Sequence, residues 1–171
     1  MANPYTDAVQ RLDGNGYPIH AELPFLSTKT VTFAGATAGA WGNDGGALDG
    51  GVLFTVTGLV QVRVVAECTT DCTGAGSTDE VGITGATAIF MPTTTMTNLD
   101  AGEIWLNNAT PATYFIIGEE EAAADNYPIY LLNGNDIILT TKTADTDTGV
   151  VDFFVYWKPI SVDGQVIDAG N

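Results

Sequence analysis

The chain has 171 residues, of which 21 are acidic and five basic, so its formal net charge is −16. This length fits one domain with a substantial buried core. Binding to nucleic acid or to an anionic membrane requires clustered Lys and Arg, and the basic residues here stand singly. We therefore expect neither partner. The basic residues are Arg11, Lys29, Arg63, Lys142 and Lys158.

The composition favours strands and turns. Thr, Val and Ile contribute 24, 14 and 11 residues, and there are 20 glycines and seven prolines. β-Branched residues fit the pleated surface of a sheet, and Gly and Pro form turns. Met1–Gln10 shows no secretory leader, and no apolar run is long enough to span a bilayer. These features predict an all-β protein assembled in the cytoplasm.

Residues 1–27 are predicted to form an extended N-terminal arm. Pro4, Pro18 and Pro24 exclude a long helix, and Asp13–Gly16 is a strong turn signal. An arm of this kind lies over its own domain or over a neighbouring subunit. Aromatic and aliphatic anchors dominate interfaces, so we expect contacts from Tyr5, Leu12, Tyr17, Ile19 and Phe25.

A short strand, Lys29–Phe33, is followed by a Gly-rich stretch, 35–51, that surrounds Trp41. Two interpretations of this stretch carry about equal weight. Trp41 either pins a long loop by packing into its own domain, or it is a contact residue for a partner. We include Trp41 among the predicted interface residues.

The clearest strand pattern runs from Val52 to Glu67, where apolar residues alternate at period two. A straight strand of this length would be about 50 Å long. Gly58 lies in its middle, and a mid-strand glycine marks a bulge or bend. A bent strand that serves two sheets is typical of sandwiches. We therefore predict a single antiparallel β-sandwich over residues 28–160, of jelly-roll-like type, with a C-terminal tail at 161–171.

The remaining elements are short, except for the last pair of strands. The polar link 144–149 is predicted to join that pair as a hairpin, and 119–125 is predicted to be a short helix. The other predicted strands are Val81–Thr84, Ala88–Met91, Glu103–Leu106 and Thr113–Ile117, with Ile137–Thr143 and Val150–Lys158 as the last pair.

No catalytic pattern emerges, so no catalytic residue, cofactor or metal is predicted. His20 is the only histidine, and no nucleophile elbow accompanies it. Asp147-Thr148-Gly149 matches the aspartic-protease tripeptide but has the composition of an ordinary turn. The Asp- and Asn-rich turns lack EF-hand spacing, which leaves structural calcium in them open.

Cys68 and Cys72 flank Thr69-Thr70-Asp71. The spacing is compatible with a small disulfide loop, and free thiols are equally compatible with a protein made in the cytosol. Two cysteines and one distant histidine do not complete a zinc site.

Two stretches resemble a known group. Lys29–Leu48 runs into the strand Val52–Ala66, and Asn135–Thr140 runs on to Asp152–Pro159. Together they resemble small tailed-bacteriophage proteins encoded near head genes, over roughly residues 29–164. The resemblance implies a virion structural role as a head decoration protein on the capsid exterior. It carries no active site.

The sequence thus leads to a non-enzymatic decoration protein whose partners are the major capsid protein and further copies of itself. By analogy with the group, we expect a trimer at three-fold positions of the shell. The alternative is a carbohydrate-binding or adhesive β-sandwich module of a tail or fibre. In that case Trp41, Trp105 and Tyr114 are the candidates for stacking on sugars.

Overall fold

The computed structural model describes residues 24–106 and 129–170, and the backbone of 10–12 and 18–20. These residues form strands, one 3-10 turn (Met96–Asn98) and no α-helix, so none of their elements could span a membrane as a helix. The strands are β1 (Gln10–Leu12), β2 (Pro18–His20), β3 (Phe25–Phe33), β4 (Gly51–Thr57), β5 (Val60–Thr73), β6 (Thr78–Ile83), β7 (Ala86–Thr95), β8 (Ile104–Trp105), β9 (Ile129–Leu131), β10 (Ile137–Lys142), β11 (Thr148–Pro159) and β12 (Gln165–Asp168).

Two antiparallel sheets make up the domain, which confirms the predicted all-β sandwich class. The first sheet has the order β12-β4-β10-β6-β7. The second has the order β3-β11-β5, and both β8 and β9 pair with the free edge of β5. A separate two-stranded ladder, β1-β2, lies within the predicted arm. The jelly-roll-like connectivity and the extended arm remain predictions, as do the strand 113–117 and the helix 119–125, which lie outside the described residues.

The bend predicted at Gly58 is where the chain passes from one sheet to the other. β4 belongs to the first sheet and β5 to the second, with only Gly58 and Leu59 between them. Gly58 has a φ of 65°, a conformation that favours glycine. An added Cβ would lie 2.5 Å from Ser161 Oγ, which accepts a hydrogen bond from Leu59 N. The turn therefore requires glycine twice, for its backbone and for its space.

The predicted hairpin at 144–149 is wrong. β10 pairs with β4 and β6 in the first sheet, whereas β11 pairs with β3 and β5 in the second. The link between them crosses the end of the sandwich. Thr143, with a φ of 75°, begins the crossing, and Thr146 holds it, because its backbone bonds to Gly35 and Gly42 instead of closing a turn.

The domain boundaries also differ from the predicted ones. β3 begins at Phe25, so the last predicted arm residues are part of the sandwich. β12 lies in the predicted C-terminal tail and pairs with β4. Lys29 Nζ lies 2.6 Å from Asp168 Oδ1, and Ser27 Oγ donates to Val166 O. These contacts join β3 to β12 and close one side of the sandwich.

The core lies between the sheets and is aliphatic and aromatic. Trp105 and Phe153 are fully buried, with ring centroids 6.2 Å apart in an edge-to-face arrangement. Val151 and Val155, on the same strand as Phe153, are also fully buried. Strand alternation thus delivers one continuous apolar layer from both sheets.

Candidate interaction surface

The sandwich has two ends of different chemistry. The first is formed by the start of β3, the 58–59 turn, β9 with the loop 132–136, and the end of β11 with the turn 160–164. We call it the apolar end. The second is formed by the loops 34–50, 74–77, 96–103 and 143–147. We call it the acidic end.

Exposed large apolar side chains gather at the apolar end. Of nine such residues in the described parts of the chain, seven lie there. Val162 is 81% exposed and Leu132 is 62% exposed, and both are in turns. Soluble proteins seldom expose contiguous apolar groups without a partner. The seven residues are Phe25, Leu26, Tyr130, Leu132, Tyr156, Ile160 and Val162.

The strand register brings several of these side chains together. Tyr156 lies between Leu26 on β3 and Arg63 on β5. Tyr130 on β9 is opposite Gln61 and accepts a hydrogen bond from its Nε2 (3.0 Å). The outer face of the second sheet near the apolar end is therefore a mixed aromatic and aliphatic surface.

A pocket of about 270 Å³ opens on this face. Its walls come from adjacent strands, with Tyr156 and Trp157 on β11 and Arg63 on β5. It is small by the standard of ligand pockets. The full lining is Pro24, Gln61, Val62, Arg63, Tyr156, Trp157 and Lys158.

The loops of the acidic end contain six acidic residues and no Lys or Arg. Three of their carboxylates bind backbone, and one of these is Glu103, whose Oε2 accepts from Asp100 N (2.9 Å). Asp145 Oδ1 accepts from Asp44 N (2.8 Å), and Asp49 Oδ1 accepts from Thr141 N (3.1 Å). These hydrogen bonds fix the conformation of the loops that carry the three carboxylates. The six residues are Asp44, Asp49, Asp100, Glu103, Asp145 and Asp147.

A buried carboxyl lies beneath the acidic end. Asp79 is fully buried, and its Oδ2 accepts from Thr146 Oγ1 (2.9 Å). Burial, reinforced by the charge of Asp49, raises the pKa of Asp79 to about 6, against the opposing hydrogen bonds from Thr141 and Thr146. Thr146 also bonds through its backbone to Gly35 and Gly42. This cluster ties the crossing link to the Trp41 loop.

A second buried carboxylate, that of Glu80, has a lowered pKa, unlike Asp79. Glu80 is 1% exposed, and Lys142 Nζ lies 2.5 Å from its Oε1. Thr93 Oγ1 donates to its Oε2. Burial opposes the charge, but hydrogen bonds from Lys142, Thr87 and Thr93 outweigh it and lower the pKa of Glu80. Glu80 is thus a structural ion-pair residue.

The predicted interface residues differ in exposure, and some of them lie outside the described residues. Phe25 is 37% exposed at the apolar end and stacks on Trp157, with centroids 4.7 Å apart. Trp41 is only 7% exposed and pins the Gly-rich loop, packing near Gly51. Its ring is not available as an exposed contact in this fold. Tyr5 and Tyr17 lie outside the described residues, and Leu12 and Ile19 are described only as backbone of β1 and β2.

Cys68 and Cys72 are free thiols in the structure, not a disulfide. Both are buried, and Cys68 Sγ donates to Thr70 O (3.1 Å). Burial raises the pKa of both thiols. The neighbouring Cys68 raises the pKa of Cys72 further, whereas the hydrogen bond with Cys72 partly opposes the rise at Cys68. The disulfide that the spacing allowed is therefore not formed in this state.

The stacking surface expected for a sugar-binding module is not formed by the described tryptophans. Trp105 is fully buried, and its Nε1 donates to Thr94 Oγ1 (3.0 Å) inside the core. Trp41 is also buried. Tyr114 lies outside the described residues. The assignment of the two tryptophans to sugar stacking is corrected, because core packing uses both rings.

Among residues 24–106 and 129–170, no three His, Cys, Asp or Glu side chains gather closely enough to hold a metal ion. In the Asn- and Asp-rich turns, side chains bind backbone instead. Asp136 Oδ1 accepts from Val56 N (2.8 Å), and Asn135 Nδ2 donates to Leu132 O. The Asp147-Thr148-Gly149 tripeptide leads into β11, with Asp147 N bonded to Thr73 O.

The most exposed apolar residues, Leu132 and Val162, were not among the predicted interface residues. A usable signal was present, since each is an apolar residue next to turn formers, in Leu132-Asn133-Gly134 and Val162-Asp163-Gly164. An apolar side chain in a tight surface turn has few neighbours to bury it.

Comparison with protein-family models, with curated proteins and with solved structures gave no match to the chain.

Proposed function

We propose that this chain is a non-enzymatic virion structural protein that decorates and stabilises the outside of a tailed-phage capsid. Its partners in this proposal are the major capsid protein and further copies of itself, arranged as a closed symmetric oligomer. The sequence resemblance over residues 29–164 motivates the setting. No residue is assigned a catalytic role, and no cofactor is required.

The observation that carries the proposal is the difference between the two ends. Seven exposed large apolar residues lie at the apolar end, whereas the loops of the acidic end carry six carboxylates and no cation. Apolar and aromatic groups are the anchors of protein contacts. Uniform negative charge keeps a surface solvated and free of association. A protein bound to a shell needs one surface of each kind.

Stabilisation of the shell would follow from mass action. A protein that binds the assembled capsid but not its free subunits shifts the equilibrium towards the assembled state. Many copies bound across capsomer joints would each add buried area. The rigid sandwich suits this role because it carries its contact residues on strand ends and tight turns.

The direct test is cryo-electron microscopy of purified particles of the virus that encodes the chain, with copy number measured by quantitative mass spectrometry. We expect many copies in icosahedral arrangement on the outer surface of the shell. A few copies at the tail, or none in the particle, would overturn the decoration role. A tail location would favour the adhesive module.

A variant pair sharpens this test. Leu132→Asp with Val162→Asp places charge on the apolar end, and the matched control, Asp44→Asn with Asp147→Asn, changes two residues of the acidic end. We expect the first pair to lose capsid occupancy and the second to keep it. Equal occupancy of both would contradict a contact with the shell through the apolar end.

A further inference from the structure

Cys68 and Cys72 lie on one strand, β5, at a spacing that a regular strand would make too long for a disulfide. Residues four apart in a regular strand are about 13 Å apart, at about 3.3 Å per residue. The Cα atoms of a disulfide lie within about 7 Å of each other. A bond between the two thiols therefore requires a strand that is shortened between them.

β5 is shortened in this way. From Cys68 to Thr73 it advances five residues, whereas the paired segment of β11, 148–151, advances three. Two extra residues are thus bulged out of the ladder. Residues 69–71, which we call the bulged segment, are all exposed, whereas Cys68 and Cys72 on either side of it are both buried. The bulged segment therefore turns outwards, and the two cysteines turn into the core together.

The two cysteines also converge on one backbone carbonyl. Leu99 O accepts from Cys72 N (3.1 Å), and it accepts from Cys68 Sγ (3.4 Å) as well. A hydrogen bond links the two thiols themselves. Cys72 Sγ packs directly on Gly149 of β11, where an added Cβ would lie 2.5 Å from the sulfur. The two thiols are therefore held next to each other in the core, and both are reduced.

The same part of β5 holds the loop 96–103 of the acidic end. Asp71 Oδ1, in the bulged segment, accepts from Ala101 N (2.7 Å). Cys68 O accepts from Gly102 N (2.8 Å). The conformation of the loop therefore depends on the path that β5 takes between its two cysteines.

We propose that Cys68 and Cys72 are a reversible redox pair, whose oxidation forms an intrachain disulfide and fixes the bulged segment together with the loop 96–103. With free thiols the loop is held by hydrogen bonds alone, and local opening can release it. With the disulfide formed, a covalent link closes the bulge and keeps the hydrogen-bond partners of the loop in place. The pair would act in this way whether or not the chain decorates a capsid.

The oxidant is a low-molecular-weight disulfide such as glutathione disulfide. Because both thiols are buried, exchange begins only when the loop 96–103 opens. One protein thiol loses its proton and attacks glutathione disulfide, which releases one glutathione thiol and leaves a mixed disulfide. The second protein thiol then attacks the protein sulfur of the mixed disulfide and releases the second glutathione. The protein loses two protons and two electrons, which appear in the two glutathione thiols.

Glutathione buffers of defined thiol-to-disulfide ratio test the pair on the full wild-type chain, folded in buffer and unfolded in urea. The reaction is stopped with acid, and high-resolution intact mass spectrometry resolves the dithiol, the mixed disulfide and the intrachain disulfide. We expect the ratio of intrachain disulfide to dithiol to be at least about tenfold higher in the folded chain, because a bond that fits the fold is stabilised by it. An equal or lower ratio in the folded chain would overturn the proposal.

Hydrogen exchange of the oxidised and reduced wild-type chain measures the effect on the loop. Amide exchange in residues 99–103 should slow by at least about tenfold after oxidation, since the loop then opens less often. Cys72→Ser is the matched control, because it leaves one thiol and can form only a mixed disulfide. The same oxidising buffer should not slow exchange in the loop of this variant. Unchanged or faster exchange in the oxidised wild type, or an equal slowing in Cys72→Ser, would show that the disulfide does not fix the loop.

Discussion

The two ends of the sandwich use their side chains in opposite ways. At the acidic end, charged and polar residues form hydrogen bonds within the chain, and Thr146 bonds the crossing link to Asp79 and to the Trp41 loop. At the apolar end, Leu132 and Val162 project into solvent and contribute little to their own fold. The comparison separates stability from association. Substitutions in the buried contacts of the acidic end should destabilise the protein, whereas substitutions of the exposed apolar side chains should change mainly what it binds.

The largest effect is expected for Gly42→Ala in the Trp41 loop. Gly42 has a φ of 86°, and an added Cβ would lie 2.5 Å from Thr146 O and 2.9 Å from Phe33 Cδ1. Backbone strain and overpacking together should cost more than about 3 kcal/mol in the free energy of unfolding. Urea denaturation at pH 7 measures it.

Gly45→Ala is the matched control in the same loop. Its φ is 69°, but nothing lies within 4 Å of an added Cβ. Only the backbone strain remains, at about 1–2 kcal/mol. Equal losses for the two variants would mean that the Gly42 contact with Thr146 does not hold the acidic end together.

Asp79 should make stability fall with rising pH. Its pKa is raised from 3.8 to about 6 in the folded protein, so the folded state binds the proton more tightly between these values. The contribution is complete below about pH 4 and is lost above about pH 6. The linked free energy is about 3 kcal/mol. Asp79→Asn should remove this component from the pH dependence of the free energy of unfolding.

Chemical denaturation of both proteins from pH 4 to pH 8 gives the difference. Asp44→Asn removes an exposed carboxylate of the same end without touching the buried cluster, and it serves as the control. If wild type and Asp79→Asn have parallel pH profiles, Asp79 does not titrate in this window.

Lys142→Met should have an intermediate effect on the free energy of unfolding. The contribution that it removes should depend on pH in the opposite direction to that of Asp79. It removes the cation from Glu80, whose lowered pKa makes its contribution present above the unfolded value and lost as the pH falls. Loss of one partner of a buried pair is costly, but Lys142 is half-exposed and Thr93 remains a donor. We expect about 1–2 kcal/mol at pH 7 from thermal melts. A profile that converges with the wild type in acid would support the ion pair.

The smallest effect on stability is expected for Val162→Ser. Val162 is 81% exposed, so the free energy of unfolding should change by less than about 0.5 kcal/mol. A larger loss in calorimetry at low protein concentration would show that the apolar end supports the fold of a single copy. That outcome would remove the distinction between the two ends.

The sequence predicted the elements whose cause is local. Alternation identified β4 and β5, and Gly58 marked the place where the chain changes sheets. It also predicted β10 within one residue at its end. These features depend on period-two burial and on glycine, which can be seen in a short window.

Long-range features could not be seen in this way. The link 144–149 has the composition of a hairpin turn, but β10 and β11 pair in different sheets, and Thr146 bonds to the distant Gly35 and Gly42. Lys29 has an ordinary charged side chain, yet it is buried against Asp168, 139 residues away. The apolar end likewise depends on which strand ends meet, because its members are distant in sequence.

The paired thiols make the acidic end a built-in reporter of local opening. Cys68 and Cys72 are buried, and burial raises the pKa of both, so neither can react while β5 stays packed. Cys72 N is held by Leu99 O and Cys68 N by Glu103 O. The rate at which a thiol reagent labels the native protein therefore depends on how often the 96–103 loop detaches, and it equals the opening rate when the reagent reacts faster than the loop recloses. Thiol labelling therefore reports opening at the acidic end only, because both cysteines of the chain lie there.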